Sequence, residues 1–182
     1  PFEPRSGRIA SHTALTDPST AFMLPGGGAQ YAGMARNLYE TEPEFRDWMD
    51  RGLDILAPKL DCDIRALWLP EPGQEDAANA RLTRPSLQLP LVMIVEYALA
   101  RLWMSWGVVP DILIGHSMGE NTAACLAGVM SFQDCIGLVH LRGTLVVQPE
   151  SGGDTRPALG GDAVGRASGE VVQDVAGVEQ SP

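Results

Sequence analysis

The chain has 182 residues, of which 45% are hydrophobic and 20% are charged, a balance typical of a globular domain that buries a core. Its formal net charge of -10 argues against a nucleic-acid partner, because phosphate binding requires a basic surface. No apolar run approaches the length of about eighteen residues that a membrane span requires, so we expect no membrane segment.

The first twenty residues contain Pro, Gly, Ser and Thr without periodicity, which predicts an interdomain linker over residues 1–20. The chain starts without Met and without a basic and then apolar leader, so we expect no secretory signal and a start cut from a longer polypeptide. The three cysteines lack C-x-x-C spacing, which favours reduced thiols in a cytoplasmic protein. The three histidines are too scattered to predict a metal site.

An apolar run at residues 21–24 is followed by Pro25-Gly26-Gly27-Gly28. This order predicts a buried strand that ends in a glycine loop.

Two helical patterns follow the glycine loop. Apolar residues at helical spacing predict a helix from Pro43 to Leu56, and the longest such pattern predicts a second from Pro85 to Trp106. Pro90 lies inside the second pattern, and because proline cannot donate a backbone hydrogen bond it predicts a late start or a kink.

A strand and two further helices complete the predicted order. Residues 112–114 are rich in β-branched side chains and predict the strand, and residues 118–127 predict a helix. Ser131 and Asp134 resemble a capping box that opens another helix, which reaches roughly Arg142. Strand, helix, strand, sharp turn and helix indicate an α/β fold with a parallel sheet.

The composition changes near Thr144. From there to the end the chain has no Phe, Tyr, Trp, Met, Cys, Ile or Lys, and its glycines recur in pairs. Such a segment buries little apolar surface, so residues 144–182 are expected to be disordered, either as a flexible linker or as a non-native tail where the reading frame was lost.

Gly115-His116-Ser117-Met118-Gly119 fits the G-x-S-x-G pattern and lies between a predicted strand and a predicted helix. The tight turn of that pattern holds a serine at the end of a sheet, beside a helix N-terminus that favours developing negative charge. The pattern therefore predicts that Ser117 is a nucleophile, the alternative being a plain structural turn.

A nucleophilic serine requires an oxyanion hole and a general base. The backbone N–H of Met118 is one natural donor, and the glycine loop at residues 25–30 offers a second, although such a loop also occurs at phosphate sites and simple turns. No histidine is a convincing base. His12 lies in the predicted linker, His116 adjoins the nucleophile, and His140 is expected to pack between helices.

Four segments recur here in the order and spacing of a known family. They are FMLPGGGAQ at 22–30, TRPSL at 83–87, GHSMGE at 115–120 and LRG at 141–143. The set resembles the malonyl-CoA:acyl carrier protein transacylases, most closely the acyltransferase domain of modular type I polyketide synthases. The resemblance covers residues 21–143, the N-terminal portion of such a domain.

The resemblance implies an α/β-hydrolase-like parallel sheet with a nucleophile elbow, truncated before a ferredoxin-like small subdomain. A malonyl-type extender unit would pass from a coenzyme A thioester to Ser117, and then to the phosphopantetheine thiol of an acyl carrier protein. Gly27 and Met118 would supply the oxyanion-hole N–H groups, and Arg142 would bind the free carboxylate. The resemblance implies no metal or bound cofactor, and a ketosynthase domain adjacent in the same polypeptide.

This sequence departs from the family pattern at several positions. Gly27 stands where the family usually has Gln, and Arg84 stands where Gln commonly precedes the proline. Met118 is not the Gln of methylmalonyl-selective domains, which favours malonyl. The family's downstream catalytic histidine has no counterpart in residues 144–182, so we expect this fragment to be inactive alone.

Two alternatives remain open from the sequence: a serine hydrolase such as a thioesterase, and a non-catalytic truncated fragment. Both enzyme classes form an acyl-serine and differ in whether a thiol or water attacks it. Arg142 and the glycine loop favour the transferase, because a hydrolase of simple esters requires no carboxylate anchor.

Overall fold

A three-stranded sheet carries the predicted glycine loop and the predicted G-x-S-x-G turn. The computed structural model describes residues 18–146 and 172–174, and its strands are β1 (Ala21–Leu24), β2 (Ile112–Gly115) and β3 (Val172–Asp174), in the order β1-β2-β3. The parallel pairing of β1 with β2, in which Leu24 lies opposite Gly115, confirms the predicted α/β fold with a parallel sheet.

The third strand differs from expectation. β3 pairs antiparallel with β2 and lies in the segment 144–182, which was expected to be a disordered or non-native tail. A backbone ladder requires no large side chains, which explains why composition did not reveal it. The predicted linker over residues 1–20 lies outside the described residues except for its last three, and most of residues 144–182 also lies outside them.

Seven helices are described. They are α1 (Arg36–Thr41), α2 (Pro43–Leu56), α3 (Ile64–Trp68), α4 (Glu75–Leu82), α5 (Pro85–Ser105), α6 (Gly119–Leu126) and α7 (Phe132–Val146), with a 3₁₀ turn at Ala57–Lys59. The core lies where α2 and α7 pack on α5.

Helix α5 is long and apolar enough to cross a membrane by length and composition, although polar residues interrupt its apolar run. However, 67% of its most apolar stretch is buried inside the protein. Leu91, Met93 and Ile94 are among its fully buried side chains. The helix is therefore explained as the core helix of the domain, because its apolar surface faces neighbouring helices rather than lipid.

Pro90 lies within α5, which begins at Pro85 rather than later, so the predicted late start is wrong. Because proline has no N–H, the carbonyl of Ser86 has no donor four residues on. The His140 ring supplies a contact instead, with Nδ1 3.2 Å from that carbonyl oxygen. His140 therefore packs between α7 and α5, as predicted.

Helix α7 begins at the predicted cap. The N–H of Asp134 donates to Ser131 Oγ (3.1 Å), and that hydroxyl donates to Asp134 Oδ2 (2.7 Å). The helix continues through Gly143 to Val146, past the predicted end near Arg142, and the Thr144 hydroxyl donates to the His140 carbonyl (3.0 Å) within this last turn.

Candidate active site

Ser117 occupies a sharp turn between β2 and α6. Its φ of 54° lies in the left-handed region, where a non-glycine residue costs about 1–2 kcal/mol. The side chain is exposed at the end of the sheet, while the next residue, Met118, is fully buried. The turn thus presents the serine hydroxyl outward and anchors the chain directly behind it.

Two glycines make this turn possible. A Cβ on Gly115 would collide with the backbone of Glu120, and a Cβ on Gly119 would collide with the carbonyl of Leu24. The strand, the turn and the helix are therefore closer together than any side chain permits. The glycine spacing of the motif is explained by backbone packing, as the sequence predicted.

The glycine loop after β1 lies against the Ser117 turn. The His116 N–H donates to the Leu24 carbonyl (3.0 Å), which extends the pairing of the two strands to the base of the loop. Gly26 is the residue in contact, since a Cβ there would lie 3.1 Å from Ser117 Cβ. A Cβ on Gly27 would instead lie 2.9 Å from Leu89 Cδ2 of α5.

The structure thus brings the predicted loop and the predicted nucleophile together, and adds Gly26 to the site. The run of three glycines was the available signal. The sequence could not say which of the three touches the serine, because that depends on the register of β1 against β2.

Beneath the turn lies a buried polar pair that the sequence analysis did not single out. Glu96 of α5 is 7% exposed, and its Oε2 accepts a hydrogen bond from Thr122 Oγ1 of α6 (2.7 Å). The same hydroxyl lies 3.7 Å from Met118 Sδ. Burial raises the pKa of Glu96 to about 7, opposed by the Thr122 hydrogen bond. The available signal was an acidic residue inside an apolar helical run.

Arg142 of α7 reaches the helix that follows Ser117. Its Nη1 donates to Asn121 Oδ1 (3.1 Å), and the Asn121 N–H in turn donates to the Met118 carbonyl (2.9 Å). The guanidinium is exposed to solvent. The structure therefore places Arg142 two hydrogen bonds from the residue after the serine.

The two described histidines do not supply an evident base. His116 is exposed beside Ser117, while the His140 ring is engaged with α5. Within residues 18–146, neither ring hydrogen-bonds the Ser117 hydroxyl. His12 lies outside the described residues.

Metal ligands are not gathered at this site. In the described part of the chain, no group of three or more His, Cys, Asp or Glu side chains is arranged to hold a metal ion. The three cysteines are free thiols, with Cys125 and Cys135 buried and Cys62 half-buried.

A cavity of about 600 Å³ lies between β1 and α5. Its walls include Met23 and Leu24 of β1 and Val95, Glu96 and Trp103 of α5. Pro25 and Ala29 of the glycine loop also line this cavity, whereas Ser117 does not.

Comparison with known proteins identifies relatives of this chain. The family described as "Acyl transferase domain" matches residues 21–168, which passes the predicted boundary at residue 143. The spectinabilin polyketide synthase system protein NorA' of Streptomyces orinoci is 38% identical over 133 residues, 73% of this chain and 4% of that protein.

Two solved structures are also similar. The acyl transferase domain of ZmaA has a TM-score of 0.69 and 35% identity, covering 78% of this chain and 33% of that one. An acyl carrier protein S-malonyltransferase from Vibrio cholerae O1 biovar eltor strain N16961 has a TM-score of 0.61 and 30% identity, covering 72% and 40%. The chain thus spans well under half the length of these proteins.

Proposed function

The chain belongs to the acyl transferase domain family, and from this premise we propose that residues 21–143 are the N-terminal part of a polyketide synthase acyltransferase domain. Ser117 takes a malonyl-type extender unit from a coenzyme A thioester and passes it to the phosphopantetheine thiol of an acyl carrier protein. The similar Vibrio cholerae enzyme, described as an acyl carrier protein S-malonyltransferase, supports the malonyl group and the acyl carrier protein acceptor.

The conformation of Ser117 is the observation that carries the proposal. A serine at φ 54° between a strand and a helix supports a nucleophile elbow, the feature of α/β-hydrolase-like sheets that exposes the reactive oxygen. Ser117 Oγ attacks the thioester carbonyl, the C–S bond breaks, and coenzyme A leaves as the thiol. The phosphopantetheine thiol then attacks the acyl-serine and restores the hydroxyl.

The negative charge that develops on the carbonyl oxygen requires N–H donors. We assign these to the backbones of Met118, which opens α6, and Gly27, in the loop beside Ser117. Gly26 permits this role, since its lack of a side chain allows the loop to contact the serine. A general base must also remove the serine proton. We place this base outside residues 21–143, in the further portion of the domain that longer relatives have. That portion is proposed to include the ferredoxin-like subdomain.

Arg142 binds the free carboxylate of the malonyl group. A guanidinium pairs with a carboxylate through two parallel hydrogen bonds. Its bond to Asn121 anchors the side chain to α6 and leaves further N–H donors for the substrate. Coenzyme A thioester and acyl carrier protein are thus the partners, with a neighbouring ketosynthase domain, no bound cofactor and a cytoplasmic location.

The test is the modification of Ser117 in a complete acyltransferase domain, in which the portion that supplies the general base is present. We expect a fluorophosphonate probe, and malonyl-CoA more slowly, to add a single group that peptide mass spectrometry locates on Ser117. S117A abolishes both additions, while S131A, at the exposed cap of α7, leaves them unchanged. Labelling that persists in S117A would remove the nucleophile assignment.

A further inference from the structure

The Glu96 carboxyl group lies between the core helix and the helix that carries the serine turn. Glu96 projects from α5, and its partner Thr122 is fully buried one turn into α6. Their 2.7 Å hydrogen bond joins the two helices directly beneath Met118, which is itself fully buried. The pair therefore connects the rigid core to the first turn of α6.

The Thr122 hydroxyl has a competing acceptor close by. In a helix, a threonine hydroxyl commonly bonds the carbonyl four residues back, and this bond bends the helix. For Thr122 that carbonyl belongs to Met118, which also accepts the Asn121 N–H at 2.9 Å. Because a hydroxyl has one proton, donation to Glu96 keeps Thr122 from making the bending bond.

We propose that Glu96 is a positioning residue for the serine turn. By holding the Thr122 hydroxyl, it sets the conformation of the first turn of α6 and thereby the direction of the Met118 N–H. The consequence for catalysis rests on the proposed function, in which the Met118 N–H stabilises the oxyanion. The effect of Glu96 on the conformation of α6 is independent of that function.

The arrangement disfavours a purely stabilising role for Glu96. Its Oε1 is buried and has no hydrogen-bond partner among the described residues, and a buried carboxyl with an unpaired oxygen costs free energy. Leucine at this position would bury apolar surface without that cost. Stability and serine reactivity are therefore expected to change in opposite directions when Glu96 is replaced by Leu.

The experiment measures the melting temperature on the 182-residue chain and the labelling rate of Ser117 in the complete domain, which includes the portion that supplies the general base. E96L is expected to raise the melting temperature and to slow fluorophosphonate labelling of Ser117 on the order of tenfold, since a misdirected oxyanion donor lowers reactivity. E96Q keeps an acceptor oxygen and labels within about twofold of wild type. E96L/T122V has no hydroxyl to form the bending bond and recovers the wild-type rate.

The outcomes separate this proposal from the proposed function. If E96L labels at the wild-type rate, or if E96L/T122V stays as slow as E96L, the positioning role is wrong. If E96L loses stability and reactivity together while E96Q does the same, Glu96 is an ordinary structural residue.

Failure of the complete wild-type domain to react would overturn the nucleophile assignment instead. Amide chemical shifts over residues 118–122 then decide the positioning role by themselves. We expect them to move in E96L and to return in E96L/T122V, and unchanged shifts in E96L would refute the proposal.

Discussion

At the residue scale, burial and charge conflict at Glu96. Burial raises its pKa from 4.5 to about 7 in the folded chain. The folded state therefore binds this proton more tightly than the unfolded state does. The resulting stabilisation is complete below the unfolded pKa near 4.5 and is lost as the pH rises through about 7.

We expect the free energy of unfolding to fall by at most about 1.4 kcal/mol per pH unit between about pH 5 and pH 7, and to level off above that range. Urea denaturation at several pH values measures this slope, and E96Q, which has no titrating group, is the matched control. A wild-type minus E96Q difference that stays constant with pH would contradict the raised pKa.

The sequence predicted the turn at Ser117, but it did not predict the residues that pack around that turn. The flanking glycines and the strand-turn-helix order are local, so the motif was enough to predict the turn. Glu96 is visible in the sequence as a charge in an apolar helix, but its pairing with Thr122 spans 26 residues and depends on how α5 and α6 pack. The contact of Gly26 with Ser117 has the same origin.

At the element scale, periodicity predicted the long helices and missed the short ones. α2 and α5 repeat their apolar positions over several turns, whereas α1 and α3 have six and five residues and are too short to show a period. Such short helices are stabilised by side-chain contacts, which a periodic apolar pattern does not reveal. Trp68 of α3, for example, is fully buried and donates to the Met34 carbonyl (2.8 Å).

The approach of α7 to the start of α5 gives a test at this scale. A Cβ on Gly143 would collide with the Pro85 carbonyl, whereas a Cβ on Gly137, in the same helix, would meet nothing within 4 Å. We expect G143A to lower the free energy of unfolding by about 1–3 kcal/mol through overpacking. G137A is expected to raise it by up to about 1 kcal/mol through helix propensity.

Urea denaturation of the two variants under identical conditions measures this contrast. Equal effects of the two substitutions would mean that the close contact between α7 and α5 is absent in solution.

At the scale of the whole molecule, the described sheet brings together segments that are far apart in sequence. β1 and β2 carry the glycine loop and the serine, and α7 returns Arg142 to the same end through Asn121. The order of elements predicted this convergence, because parallel strands place their carboxyl ends at one edge. Composition did not predict β3, whose backbone pairs antiparallel with β2.

Arg142 distinguishes a dicarboxylic-acyl transferase from a hydrolase of simple esters, and the distinction requires a complete acyltransferase domain. In that domain, R142A is expected to lower kcat/KM for malonyl-CoA by roughly 30- to 1000-fold, since losing a charge-assisted contact costs about 2–4 kcal/mol. Acetyl-CoA has no free carboxylate, so its rate should change little. R81A, which removes an exposed arginine of α4, is the matched control and should leave the ratio of the two substrates unchanged. Equal losses for malonyl-CoA and acetyl-CoA in R142A would make Arg142 a structural link between α6 and α7 rather than the carboxylate anchor.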